Sequence, residues 1–138
     1  MRQLSAEVFG RFGDYAEMLP RAMGLERIST VVAEVDGRPV GFAMASLEDL
    51  PWGEIDLTAI AVAPPWQSRG IGRMLLGWVE QTARQLVPGP RPVSVRLTVA
   101  EDNEPARRLF DRSGYGTVPG AEGRYPGGQR SLTLRKQL

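Results

Sequence analysis

A glycine-rich stretch is the part of the sequence best suited to bind a charged ligand. It reads Gln67-Ser68-Arg69-Gly70-Ile71-Gly72 and precedes a segment of helical periodicity. At the N-terminus of a helix, such a loop exposes backbone N–H groups that suit a diphosphate. Its glycines let backbone and ligand approach each other because they carry no Cβ. Arg69 and Arg73 add positive charge, so the stretch predicts binding of a nucleotide-like cofactor.

Two familiar phosphate-binding fingerprints do not fit this loop. No Gly-Lys-Ser/Thr ending follows it, which excludes a P-loop nucleotidase. It also lacks the third glycine and the distant ribose-binding acid of a dinucleotide-binding unit. A tight strand-to-helix turn that binds nothing remains the alternative interpretation.

The strand that precedes the loop carries an irregular pattern. Ile55 and Leu57 are apolar at odd positions, whereas Ile60 and Val62 are apolar at even positions. Because strand side chains alternate with a period of two, this phase slip near Thr58 predicts a β-bulge. A bulge would leave backbone groups unpaired and available to an extended ligand that contains amides. The alternative is a strand buried on both faces, with the alanines around Ile60 as small core residues.

The segment after the loop predicts an amphipathic helix that ends at Val87-Pro88-Gly89-Pro90. Six apolar residues recur at helical spacing and predict its buried face: Ile71, Met74, Leu75, Trp78, Val79 and Leu86.

The remaining elements frame this strand–loop–helix unit. Thr30–Glu34 and Val40–Leu47 predict two strands, which an Asp-Gly turn joins into a hairpin. Pro92–Val99 alternates apolar and polar residues and, after a helix, predicts a strand parallel to the one that holds Ile60. Ser131–Leu134 predicts a last strand, and Met1–Leu25 is expected to be largely helical.

Composition restricts the possible chemistry. The 138 residues favour a single domain over 1–138, and 42% hydrophobic content is enough for a core. The absence of cysteine and histidine excludes disulfides, thiolate nucleophiles and the commonest general base. A net charge of +1 gives no case for nucleic-acid binding, and no apolar run reaches membrane-spanning length. We therefore expect a cytoplasmic protein with no nucleic-acid, membrane or metal partner.

Two motifs resemble those of the GNAT superfamily of N-acetyltransferases. Val62 followed by Gln67-x-x-Gly70-x-Gly72 is similar to its acetyl-CoA-binding motif. Asn103-x-x-Ala106-x-x-x-Phe110-x-x-x-Gly114-Tyr115 is similar to its second motif, and the resemblance covers roughly residues 30–138. It implies the α/β (α+β) GNAT fold. That fold has a central mixed, mostly antiparallel sheet, splayed at a β-bulge and flanked by helices. The N-terminal helical region is abbreviated relative to the family.

The resemblance also implies a set of cofactor-binding residues. In the family, the strand before the loop bonds the pantetheine arm of acetyl-CoA, the loop holds its pyrophosphate, and the second-motif asparagine often contacts it. Carried onto this sequence, these residues are Ile60, Ala61, Val62, Gln67, Ser68, Arg69, Gly70, Ile71, Gly72, Arg73 and Asn103. For Asn103, a helix N-cap is an equally good and compatible role.

The catalytic residues are less completely specified. Asp56 lies eleven residues before Gln67, where several family members place a glutamate, and is the first candidate for the general base. Glu54 is the second, and the alternative is that both are solvated strand charges. Phe110 occupies the family's usual tyrosine position and cannot donate a proton, which leaves the tyrosines at 15, 115 and 125 open, with packing the favoured role of Tyr115.

The resemblance implies transfer of an acetyl group from acetyl-CoA to a primary amine by direct attack. The acceptor is a small molecule or a peptide, and a homodimer is consistent with the family. Phe110 and the short N-terminal region favour a second hypothesis, an acyl-CoA-binding regulatory or interaction module without catalytic activity. The intact loop and the strand carboxylates favour the enzyme.

Overall fold

A computed structural model describes residues 27–138 of the chain. Their strands and helices are β1 (Ile28–Val35), β2 (Arg38–Ser46), β3 (Glu54–Val62), α1 (Ile71–Leu86), β4 (Ser94–Ala100), α2 (Glu104–Arg112), β5 (Gly116–Thr117), β6 (Gly123–Arg124) and β7 (Arg130–Gln137). The helical segment expected within Met1–Leu25, and with it the abbreviated N-terminal region, lies outside the described residues. No helix of residues 27–138 is long and apolar enough to cross a membrane.

The strands form one mixed sheet in the order β1-β2-β3-β4-β7-β5, with β6 also paired to β7. Every pairing is antiparallel except that of β3 with β4, which is parallel. The predicted hairpin joins β1 to β2 through Asp36 and Gly37, whose φ angles of 51° and 77° are both positive. Such a turn matches the twist of the flanking strands. The α/β mixed sheet expected from the sequence is confirmed.

The predicted β-bulge lies at Thr58. Met44 of β2 pairs with Ala59, but its neighbour Ala45 pairs with Leu57, so Thr58 has no partner on β2. The extra residue reverses the alternation of β3. As a result, both Leu57 before the bulge and Ile60 after it pack toward the same hydrophobic core.

The core lies between the sheet and its two described helices. Leu75, Leu76 and Val79 of α1 pack with Ile55 of β3 and Val95 of β4, and all five are almost fully buried. The neighbouring α2 contributes Phe110 to the same cluster. Burial of this apolar surface is the main source of stability for the unit.

A buried polar cluster joins α1 to β7. The Tyr115 hydroxyl donates to Glu80 Oε2 at 3.1 Å, and Lys136 Nζ donates to Glu80 Oε1 at 2.9 Å. Burial, reinforced by the adjacent Glu80 carboxylate, raises the pKa of Tyr115 well above its ordinary value. Tyr115 is therefore a packing residue, as the sequence favoured, and is held as a neutral phenol.

One part of the predicted helix face is wrong. Met74 is 69% exposed and Leu86 is 44% exposed, whereas Leu76 and Ala83 are buried. The buried stripe centres on Leu75, Leu76, Val79 and Ala83, and at about 100° per residue Met74 falls on the far side of the helix. Leu86 is the last residue of the helix, where the sheet covers the side chain only in part.

Glycines 41 and 77 provide a matched test of this packing. A Cβ on Gly41 would lie 2.9 Å from the Ala61 carbonyl oxygen and 3.3 Å from Leu75 Cδ1, whereas a Cβ on Gly77 meets nothing within 4 Å. We expect Gly41→Ala to lower the free energy of unfolding by about 1–3 kcal/mol through overpacking. Gly77→Ala should raise it by about 0.5–1 kcal/mol, because alanine restricts the unfolded chain in a helix interior. Urea denaturation measures both, and a neutral Gly41→Ala would contradict the close approach of β2 to α1.

Candidate active site

The bulge separates β3 from β4 and opens a cleft between them. The two strands pair only from Glu54 with Ser94 to Leu57 with Leu97. Beyond these pairs lies a cleft of about 320 Å³, walled by residues 56–60 of β3 and 97–100 of β4. Asn103, Phe110 and Tyr125 complete its lining. On each wall, the strand edge that faces the cleft has lost its ladder partner. The backbone groups of the β3 edge are therefore available to a ligand.

The glycine-rich loop lies at the end of β3 where the two strands have separated. Gln67 Nε2 donates to the Val62 carbonyl oxygen at 2.9 Å, which ties the loop to that strand end. The backbone N–H groups of residues 68–73 bond to no acceptor within residues 27–138. They surround the N-terminus of α1, where Gly70 is the N-cap and offers no side-chain acceptor. This arrangement suits an anionic ligand.

The two glycines of the loop are required for different reasons. Gly70 has a φ of 85°, in the left-handed region that favours glycine. A Cβ on Gly72 would lie 3.2 Å from Leu109 Cδ2, so Gly72 lets α2 pack against the first turn of α1. The sequence interpretation assigned both glycines to ligand approach, and the packing role of Gly72 becomes apparent only in the tertiary structure.

The remaining predicted cofactor residues are arranged around the same end of β3. Ile60 lines the cleft, while Ala61 is buried and Val62 half-buried. Arg69 and Arg73 are exposed, with the Arg69 guanidinium 5.1 Å from the Trp66 ring centroid. Ser68 has a φ of 61° and is exposed, and Ile71 begins α1.

The position of Asn103 is compatible with both roles considered for it, the helix N-cap and a contact to the cofactor. Its Oδ1 accepts a hydrogen bond from the Ala106 N–H at 3.3 Å, which caps α2. The residue also lines the cleft opposite β3. The capping bond fixes the side chain at the cleft wall rather than removing it from the site.

The two candidate carboxylates occupy different environments. Asp56 lines the narrow end of the cleft and is half-buried. Burial is the main cause that raises its pKa, the nearby Asp49 and Glu54 add to the rise, and Arg96 partly opposes it. A carboxyl with a raised pKa in a cleft is suited to accept a proton near neutral pH.

Glu54 is held in an ion pair outside the cleft. Its Oε2 lies 2.8 Å from Arg135 Nε and accepts a hydrogen bond from the Ser94 hydroxyl at 2.8 Å. The side chain is 16% exposed and does not line the cleft. Glu54 therefore joins β3, β4 and β7, and of the two carboxylates only Asp56 faces the cleft.

A hydroxyl group enters the cleft from the hairpin between β6 and β7. The Tyr125 hydroxyl donates to the Thr98 carbonyl oxygen at 3.1 Å, on the β4 wall. Phe110 also lines the cleft but carries no hydroxyl. Of the three tyrosines left open by the sequence, Tyr115 bonds Glu80, and Tyr15 lies outside the described residues. The only sequence signal for Tyr125 was its place beside the Pro-Gly-Gly turn before the last strand.

Comparison with known proteins agrees with this geometry. The sequence profile of the acetyltransferase (GNAT) family matches residues 3–115. No curated protein sequence matches the chain.

Several solved structures share the fold. A protein from Desulfovibrio desulfuricans ascribed to the GNAT acetyltransferases is 25% identical over 99% of this chain and 88% of that one, with a TM-score of 0.72. NAA60 of Arabidopsis thaliana, solved with a bisubstrate analogue, is 20% identical over 99% of this chain and 89% of that one, with a TM-score of 0.77. PaiA N-acetyltransferase of Thermoplasma acidophilum, solved with coenzyme A, is 15% identical over 99% of this chain and 87% of that one, with a TM-score of 0.71. At such identities the last two show the fold alone.

The family profile spans most of the chain, and the splayed sheet with its glycine-rich loop is the architecture that the profile implies. The chain belongs to the GNAT family of acetyltransferases.

Proposed function

We propose that this protein transfers an acetyl group from acetyl-CoA to a primary amine of a small-molecule or peptide acceptor. The observation that carries the proposal is the cleft between β3 and β4, which has a different chemistry at each end. Asp56 lies at its narrow end, and the loop with free backbone N–H groups follows Val62 at its open end. At about 3.3 Å per residue, these ends are roughly 20 Å apart along β3. That separation suits a cofactor with a charged head and a long reactive arm.

The residues around the open end fit the charged part of acetyl-CoA. The unpaired N–H groups of residues 68–73 would hold the diphosphate, with Arg69 and Arg73 contributing positive charge. The free backbone edge of β3 around Ile60, with Asn103 opposite, would hold the amide-bearing arm. The coenzyme A held by the Thermoplasma acidophilum protein of the same fold is consistent with this cofactor.

Bound acetyl-CoA would supply an acetyl thioester, which accepts the amine and releases a thiol. Asp56 would take a proton from the acceptor ammonium, directly or through one water, so that the amine becomes nucleophilic. As the carbon–nitrogen bond forms, the carbon–sulfur bond would break and Tyr125 would give its hydroxyl proton to the departing sulfur. Tyr125 would regain a proton, through water, from the nitrogen, which loses its second proton in becoming an amide. Since a thiol has a pKa of about 8.5, that donation assists departure rather than being essential to it.

Cofactor binding is tested first by thermal unfolding. We expect acetyl-CoA and free coenzyme A, but not ATP, to raise the melting temperature, because a ligand of the native state stabilises it by about 2.7 kcal/mol at a hundredfold excess over Kd. The double variant Arg69→Gln/Arg73→Gln should raise the Kd about tenfold, with a weaker salt dependence. Arg84→Gln/Arg91→Gln removes the same charge in the last turn of α1 and in the segment after it, at the other end of that helix from the loop. This control should leave the Kd unchanged. If millimolar acetyl-CoA does not raise the melting temperature, the loop is a strand-to-helix turn that does not bind this cofactor.

The variant Asp56→Asn tests whether Asp56 acts in catalysis, because its expected effects on stability and on kcat/KM differ. The pKa of Asp56 is higher in the folded protein than in the unfolded chain, so ionising Asp56 lowers the free energy of unfolding. This loss reaches its full size once the pH exceeds the folded-state pKa. The variant should therefore be at least as stable as the parent at pH 7. Its kcat/KM should fall on the order of a hundredfold or more. Wild-type kcat/KM should decline as the pH falls through a pKa above the ordinary aspartate value of 3.8, and the variant should lose that dependence.

Glu54→Gln is the matched carboxylate control for that experiment. Because Glu54 pairs with Arg135, its loss should lower stability and leave the acidic limb of the rate profile in place. If Asp56→Asn retains full turnover while acetyl-CoA still binds, Asp56 is not the base. If the wild-type protein binds acetyl-CoA but acetylates no amine, the chain is the binding module considered above.

Tyr125→Phe tests the proton donor. We expect kcat to fall about ten- to a hundredfold with little change in the KM for acetyl-CoA, a modest effect because the thiol leaves readily. Tyr115→Phe removes a buried hydroxyl outside the cleft and should lower stability but not kcat. Adding Phe110→Tyr to Tyr125→Phe should restore part of the loss, since residue 110 also lines the cleft. Unchanged kcat in Tyr125→Phe would exclude the role.

A further inference from the structure

We propose that the acceptor carries a carboxylate close to its primary amine, as an α-amino acid does, and that Arg96 binds that carboxylate. This inference rests on the proposed acetyl transfer and on Asp56 as the group that receives the amine. It names the substrate class that the two side chains together would recognise.

Asp56 and Arg96 are neighbours across the last part of the sheet where β3 and β4 still pair. They are register partners on the two parallel strands, whose backbones lie about 4.8 Å apart. Val95 and Leu97, on either side of Arg96, point into the core beneath the helices. Arg96 therefore points to the other face, which it shares with Asp56. It lies beside the narrow end of the cleft without lining it.

Arg96 forms no hydrogen bond or ion pair within residues 27–138, and its interaction there is the through-space attraction to Asp56. Its side chain is exposed. By contrast, Arg135 is bound to Glu54 and Ser94, and Arg124 donates to the Gly128 carbonyl oxygen. The guanidinium of Arg96 is thus available to a ligand at the point where the acceptor must approach Asp56.

The pair of opposite charges matches a zwitterion. In an α-amino acid the ammonium and the carboxylate are attached to one carbon, so both can be met by two side chains from adjacent strands. Asp56, with Asp49 nearby, attracts the ammonium, and a guanidinium can bind a carboxylate through two parallel hydrogen bonds. An acceptor with only amines would place its cation beside Arg96 with no compensating anion. A carboxylate-bearing acceptor is therefore favoured over a polyamine.

The test compares matched acceptors with the full-length protein and acetyl-CoA. The probes are free α-amino acids, their amides and the corresponding amines without the carboxyl group, with thiol release and product mass as readouts. We expect kcat/KM for the best amino acid to exceed that for its amide and its amine by roughly 10- to 100-fold, as for hydrogen bonds between charged groups. Arg96→Gln should reduce that ratio to near one, and Arg96→Lys should keep part of it.

The ratio isolates carboxylate recognition from effects on the base. Loss of Arg96 also removes a charge that lowers the pKa of Asp56, but this change affects acid and amide acceptors alike. Arg38→Gln is the matched control, since Arg38 is another exposed strand arginine and lies eight residues along β2 from the partner of Asp56. It should leave the ratio unchanged.

The failure of this inference differs from the failure of the proposed function. Equal or better turnover of the amide or the amine, or a ratio unaffected by Arg96→Gln, would overturn carboxylate recognition while acetyl transfer stands. A protein that binds acetyl-CoA but acetylates none of the amino acids would overturn it as well. Absence of acetyl-CoA binding in thermal unfolding would instead remove the proposed function itself.

Discussion

The single unpaired residue at Thr58 is the constraint on which the site depends. A parallel strand pair normally continues its ladder until one strand ends, and here it stops after four residue pairs although both strands continue. The register of β3 with β2 shifts at the bulge, and β3 no longer pairs with β4 beyond it. From there on, β4 pairs only with its antiparallel neighbour β7. The energetic cost is a set of backbone groups without ladder bonds. Those groups form the walls of the cleft, so the defect in the sheet also provides the surface that we propose binds the cofactor.

The two faces of the sheet serve different purposes beside this opening. Beneath α1 and α2 the strands contribute apolar side chains to a close-packed core, which fixes the loop at the N-terminus of α1 relative to β3. On the opposite face, near the narrow end of the cleft, charged side chains share neighbouring positions on β3, β4 and β7. There Glu54 and Arg135 form an ion pair, while Asp56 and Arg96 are register partners with no hydrogen bond or ion pair between their side chains. Half-burial of the Asp56 carboxylate disfavours its charged form, as the rise of its pKa indicates. This cost is consistent with the catalytic role that we propose for it.

Phe110 and Tyr125 show how a hydroxyl can be supplied to one cleft from different elements. Phe110 is nearly fully buried and packs 5.8 Å from the Tyr115 ring, so on α2 this position contributes packing. The hairpin between β6 and β7 extends over the β4 wall and brings Tyr125 to the Thr98 carbonyl oxygen. The loss of a hydroxyl from the family's usual position therefore does not leave the cleft without one. In the same way, Arg96, which we propose meets the acceptor, comes from β4 rather than from a loop.

The sequence by itself determined the features that depend on local order along the chain. The phase slip at Thr58, the glycine-rich loop before α1, the Asp-Gly hairpin and the cap at Asn103 are all set by neighbouring residues, and each was predicted and found. Only the tertiary structure decided which of two carboxylates faces the cleft, because Glu54 is withdrawn by Arg135, about eighty residues away in the chain. It also decided the packing role of Gly72, the exposure of Met74 and the strand register that places Asp56 beside Arg96. These outcomes depend on strand register and on contacts between distant segments, and single-sequence periodicity contains no measure of either.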